Sequence, residues 1–120
     1  MVGGRLKAAQ SRIAAAAART GRDPADVTMV VVTKGRDVAE IEQVYAAGIR
    51  DFGENRAQEM IAKAAALPAD IRWHFVGHLQ RNKVRRVRPL TTLLHSLDGD
   101  ELAAQWLKGP GLPPPVLVQV

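Results

Sequence analysis

Lys34 stands directly after a run of apolar and hydroxyl residues, Val27-Thr28-Met29-Val30-Val31-Val32-Thr33. A lysine at the end of such a run lies where its ammonium would be partly desolvated. Desolvation favours the neutral amine, which can attack a carbonyl carbon and form a Schiff base. The competing reading is a lysine that merely leaves the core and reaches water. Three further groups fall at comparable places. In Gly53-Glu54-Asn55 the amide of Asn55 can bond a ligand oxygen or ring substituent, or cap a following helix, and both roles can coexist. Gly77-His78 closes a stretch containing Trp73 and Phe75, where a lone histidine is more often structural than catalytic. Ser96 and Asp98 end the next apolar run. His74 and His95 lie inside such runs, at spacings that make no recognisable metal set. The sequence holds no Gly-x-Ser-x-Gly elbow, no His-Glu-x-x-His and no P-loop.

These residues can meet only if the elements between them bring them to one place. Leu6 to Thr20 has apolar residues at helical spacing, and Gly21 is a natural stop. The β-branched run before Lys34 suits a strand buried on both faces of a parallel sheet. Asp37 can cap a helix reaching Gly48, and Ile49 to Gly53 reads as a second strand. A helix over residues 55–67, a strand over 71–76, a helix over 79–87 and a strand over 93–97 follow. Asp98 can cap a helix over 100–108, and residues 116–120 begin a fifth strand. Lys34, Asn55, Gly77, Asp98 and Val120 mark the strand ends, spaced 21, 22, 21 and 22 residues apart. That length fits one strand, two short loops and a returning helix. An open doubly wound sheet and a (β/α) barrel both satisfy the beat, and both place ligands at the carboxyl ends of their strands. No GxGxxG follows the first strand, so the dinucleotide form of the open sheet lacks its phosphate loop.

Bulk properties narrow the class without naming a function. The 120 residues suit one domain with a genuine core, and the 47% hydrophobic and 24% charged content is that of an ordinary globular chain. Absence of cysteine excludes a disulfide scaffold, a thiolate metal site and a cysteine nucleophile. No apolar stretch approaches the roughly 20 residues of a bilayer span, and the first helix pattern, from Met1, is amphipathic rather than a signal peptide. The cytoplasm is the expected location. The net charge of +5 comes largely from Arg81, Lys83, Arg85, Arg86 and Arg88. Arg81, Arg85 and Arg88 are spaced for one helix face, but no interleaved aromatics or named motif support a nucleic-acid interface.

Longer strings carry a resemblance. Val32-Thr33-Lys34, then Asp51-Phe52-Gly53-Glu54-Asn55-Arg56-Ala57-Gln58-Glu59, then Arg72-Trp73-His74-Phe75-Val76-Gly77-His78-Leu79-Gln80-Arg81-Asn82-Lys83 are similar in order and wording to the pyridoxal phosphate homeostasis proteins. Leu94-His95-Ser96-Leu97-Asp98 and the final valine-rich run continue the match, which spans nearly the whole chain from about Leu6. The resemblance implies an α/β fold, a (β/α) TIM barrel of the alanine racemase amino-terminal type, here about its first half in a single domain. It implies a Schiff base between Lys34 and pyridoxal 5′-phosphate (PLP), with Asn55 and His78 near the cofactor and Ser96 a further candidate. It also implies a protein of intracellular PLP homeostasis without established catalytic turnover.

Two departures qualify that picture. The family has a proline two or three positions after its lysine, whereas Gly35-Arg36-Asp37 stands here. The family's phosphate grip, a Ser/Gly-rich segment and an Arg-Ile-Gly strand end, has no counterpart in these residues, so this chain alone is expected to hold PLP weakly. The last strand pattern reaches Val120 with no helix after it, as in a barrel cut near its middle, a truncated chain or a half-barrel that associates with another copy. The alternative of a PLP-dependent amino-acid racemase of the same fold needs a second acid/base group. No residue here is an obvious candidate for that role, although Tyr45 lies on a helix.

Overall fold

Helix α1 (Val2–Arg19) ends where Gly21 takes a left-handed φ of 71°. Arg22 N–H then donates to Ala17 O at 2.9 Å and Gly21 N–H to Ala18 O at 3.3 Å, which satisfies carbonyls the helix leaves open. The computed structural model describes residues 2–120, so Met1 of the amino-terminal pattern lies outside it. After α1 come β1 (Val31–Val32), α2 (Val38–Ala46), β2 (Asp51–Glu54), α3 (Ala57–Ala66) and β3 (Arg72–Phe75). Next are α4 (Val84–Val87), β4 (Thr91–Leu97), α5 (Asp100–Leu107) and β5 (Val116–Val118). Among the described residues no helix is long and apolar enough to cross a membrane.

The five strands form one parallel sheet in the order β1-β2-β3-β4-β5. Each strand pairs with its successor, as consecutive units of a (β/α) barrel do. A doubly wound sheet would reverse its strand order partway. Register sets the two faces of the sheet. Phe52 pairs with Trp73, Glu54 with Phe75, and Phe75 with Leu94, so these side chains share one face, and all are buried. The helices cover that face through Ile41 and Val44 of α2, Met60 of α3, Val84 and Val87 of α4, and Leu102 and Trp106 of α5. Each large apolar side chain buried there contributes about 1.5–3 kcal/mol.

The structure differs from the sequence reading at several places. The first strand forms a ladder only over Val31–Val32, with Thr33 N–H adding one bond to Gly53 O at 2.9 Å. Val31 pairs with Phe52 and Val32 with Gly53, and the strand ladder extends no further toward the amino end. As the edge strand it leaves Val32 47% exposed, rather than buried on both faces. The helix expected over residues 79–87 is a 3-10 turn at Arg81–Lys83, the single turn of α4 and a second 3-10 turn at Arg88–Leu90. Arg88 is buried, donating to Trp106 O at 2.7 Å, Pro110 O at 3.0 Å and Gly111 O at 3.3 Å. It ties α5 to the turn after it, so the three-arginine surface does not exist. Asn55 and Asp98 are not helix caps either; the cap positions of α3 and α5 are Arg56 and Gly99. Asp37 does cap α2, accepting from Glu40 N–H at 2.8 Å.

Candidate functional site

The carboxyl ends of the strands gather the sequence candidates in strand order. Lys34 follows β1 on the turn Thr33–Gly35 and is exposed. Of the two readings its position allowed, the structure has the one in which the lysine leaves the core and reaches water. What the run supplies is a fixed base for the turn. Thr33 is buried, and its hydroxyl donates to the Glu54 carboxylate of β2. Lys63 of α3 donates to Glu54 Oε2 at 2.6 Å, to Thr33 O at 2.7 Å and to Glu59 Oε2 at 3.1 Å. Glu59 also accepts from Gly35 N–H at 3.3 Å. The Lys63 bond, and then the Gly35 bond, hold the Glu59 carboxyl below the usual glutamate range.

Asn55 lies one residue past β2, next in register to Lys34, because Val32 pairs with Gly53. Its side-chain Oδ1 is buried without a hydrogen-bond partner. Gly77, at the end of β3, approaches Asn55 so closely that a Cβ at Gly77 would lie 2.5 Å from Asn55 Cβ and 2.7 Å from Asn55 O. Buried Ser96 donates its hydroxyl to Gly77 O, joining β4 to the same edge. His78 points outward, 73% exposed, with Nδ1 3.5 Å from Asp98 Oδ2. Asn55, Arg56, Phe75, His78 and Lys83 line one cleft at this edge. Lys34, Asn55 and His78 thus hang from neighbouring strand ends, while Ser96 acts on Gly77.

Gly77→Ala should cost about 1–3 kcal/mol, because the new methyl meets backbone, which cannot swing aside as a flexible side chain can. Denaturant unfolding checks this, and a wild-type midpoint would contradict the close approach.

Sequence reasoning missed Lys63, Glu59 and a second polar chain. A signal for Lys63 was present: it falls three residues after Met60 and four before Leu67, both buried, so it occupies the inward stripe of α3. The second chain starts at the first residues of β2 and β3, Asp51 and Arg72, and crosses to β4 on the sheet face away from the helices. Arg72 donates to Asp51 at 3.0 and 2.7 Å, His74 Nε2 lies 3.0 Å from Asp51 Oδ1, and His74 Nδ1 lies 2.9 Å from His95 Nε2. The Arg72 bonds, helped by His74, hold the Asp51 carboxyl below the usual range. Burial, and then repulsion from His74, lowers the pKa of His95.

The pH consequence follows from linkage. Both groups have folded pKa values below their unfolded ones, so the unfolded chain binds more protons as pH falls. Their stabilisation is complete above the unfolded pKa values and is lost on acidification. Stability should decline first as pH drops through the histidine range near 6.5, and again through the aspartate range. Thermal unfolding against pH reads this; His95→Gln should remove the first step, and an unaltered profile would contradict it.

Tyr45 does not approach Lys34. Its hydroxyl donates to Asp70 at 2.6 Å, and Arg50 lies 3.7 Å over its ring. Those partners precede β2 and β3, at the opposite end of the strands.

No family model matches the chain. The five-stranded parallel sheet does, however, define an α/β protein whose candidate site lies at the carboxyl ends of its strands. Curated proteins named pyridoxal phosphate homeostasis protein match it. The one from Synechocystis is 48% identical over 68% of this chain and 38% of its own length. The one from Pseudomonas aeruginosa is 42% identical over 87% of this chain and 46% of its own length. The mouse protein is 35% identical over 99% of this chain and 48% of its own length. Among solved structures, PipY of Synechococcus elongatus with PLP bound is 41% identical, with a TM-score of 0.61 over 78% of this chain and 45% of that one. An unknown protein from Bifidobacterium adolescentis is 35% identical, with a TM-score of 0.76 over 83% of this chain and 46% of that one. The chain is thus similar to the amino-terminal part of the pyridoxal phosphate homeostasis proteins. It spans about half the length of the relatives it matches.

Proposed function

We propose that this chain carries the lysine-bearing portion of a PLP site and that the protein serves PLP homeostasis in the cytoplasm. The supporting observation is Lys34, exposed on a pinned turn and next in register to an Asn55 oxygen that is buried and unpartnered. An orphaned buried acceptor costs stability unless a ligand or water completes it, and a hydroxyl on a cofactor ring could do so. In this reading the Lys34 amine adds to the cofactor aldehyde carbon and water leaves, giving a Schiff base. Bound PLP supplies electron withdrawal; the chain's own residues bind and orient. Asn55 and His78 flank the cofactor, and Ser96 holds the β3 end through Gly77. The sheet is taken as part of an alanine racemase-type barrel in one domain.

The role is binding rather than turnover. The names of the relatives describe homeostasis, and Tyr45, on which a racemase reading would draw, is occupied at the far end of the sheet. Titrating the protein with PLP should produce a long-wavelength Schiff-base absorbance band that saturates at one cofactor per chain. A folded protein that gives no band would overturn the proposal.

A further inference from the structure

We infer that Lys63, with Glu54 and Glu59, is the positioning group that aims Lys34; the inference rests on the reading of Lys34 as the cofactor lysine. The direction of a side chain from its Cα is set by the two peptide planes that meet there, since each is rigid. Both planes at Lys34 are held from outside the turn. The plane before it contains Thr33 O, which accepts from Lys63 Nζ at 2.7 Å and from Arg36 N–H at 3.0 Å. The plane after it contains Gly35 N–H, which donates to Glu59 Oε2 at 3.3 Å. Gly35 has a left-handed φ of 70°, which lets the chain turn back sharply.

Lys63 is the hub of this arrangement. An ammonium has three donors, and here they go to Thr33 O, Glu54 and Glu59. Stability alone does not account for the pair. The side chains of Lys63 and Glu54 are 9% and 0% exposed, and Glu54 Oε1 has no partner. A buried pair of this kind is often no more stabilising than well-packed apolar residues would be. What charges add, and methyl groups cannot, is direction. Lys63 reaches from α3, and Glu54 from β2, to a turn that belongs to the preceding strand.

Two variants test the inference. Glu59→Ala frees the plane after Lys34 and leaves the buried pair in place. Lys63→Met combined with Glu54→Gln frees the plane before it without stranding a charge. Each should weaken covalent PLP loading by about five- to thirtyfold, the cost of ordering one more backbone residue on binding. Each should also speed amide exchange at Gly35 in the cofactor-free protein, and Glu59→Gln, which keeps an acceptor, should restore both readouts. Unchanged loading, with or without faster exchange, would overturn the inference. If the double variant fails to fold, Glu59→Ala alone decides. A wild-type protein that never loads would instead sink the cofactor reading, and the brace would then stand or fall on Gly35 exchange.

Discussion

Lys63→Met should destabilise the protein by about 3–5 kcal/mol, because it leaves the buried Glu54 carboxylate without its counter-charge. Methionine preserves most of the stem volume, so the loss reports the charge rather than a cavity. Glu54 would keep only the Thr33 hydroxyl, since its other oxygen is already unpartnered. Adding Glu54→Gln should recover much of the loss, because a neutral amide tolerates the same burial. A double-mutant cycle by denaturant unfolding measures the coupling directly. A single-variant loss under about 1 kcal/mol would mean that the pair is solvated in solution.

Lys34→Ala has the opposite profile: complete loss of the covalent band with little change in stability. Lys34 is exposed, and among the described residues its side chain makes no hydrogen bond or ion pair. Surface substitutions of that kind shift unfolding by within about 0.5 kcal/mol. Cofactor chemistry and stability thus separate cleanly between two lysines on adjoining elements. On the proposed reading, Lys63 carries the scaffold and Lys34 the bond to the cofactor. A Lys34→Ala protein that still forms the band would assign the Schiff base to another amine.

The sequence made the beat of the fold plain. Glycine and aspartate punctuation at Gly21, Asp37 and Gly48, with the even spacing of strand ends, gave the elements their order. Consecutive strand pairing, which separates a barrel-like sheet from a doubly wound one, is a tertiary property that spacing alone left open. Misreadings arose where pairing or packing outweighed local pattern. The valine-rich run before Lys34 has strand propensity along its length, yet its ladder with β2 spans only Val31–Val32. Arg88 carries a charge that reads as surface, but three carbonyl acceptors draw it inside.

The site was legible in part. Lys34, Asn55 and His78 could be placed at one edge from the beat and the family resemblance. The sequence gives no view of contacts between elements, so the group that steers Lys34 was invisible, although Lys63 on the inward stripe of α3 was a clue. Asn55 shows the limit well: an amide before a helix reads as a cap, and only the three-dimensional arrangement reveals its oxygen as buried and unpartnered.

Reductive trapping tests the central claim most directly. Borohydride reduction of the PLP-treated protein converts the Schiff base to a stable secondary amine, and peptide mass mapping then locates it among Lys7, Lys34, Lys63, Lys83 and Lys108. One pyridoxyl group on Lys34, with the other four lysines unmodified, is the predicted result. A label spread over exposed lysines, or seated on any residue other than Lys34, would contradict it.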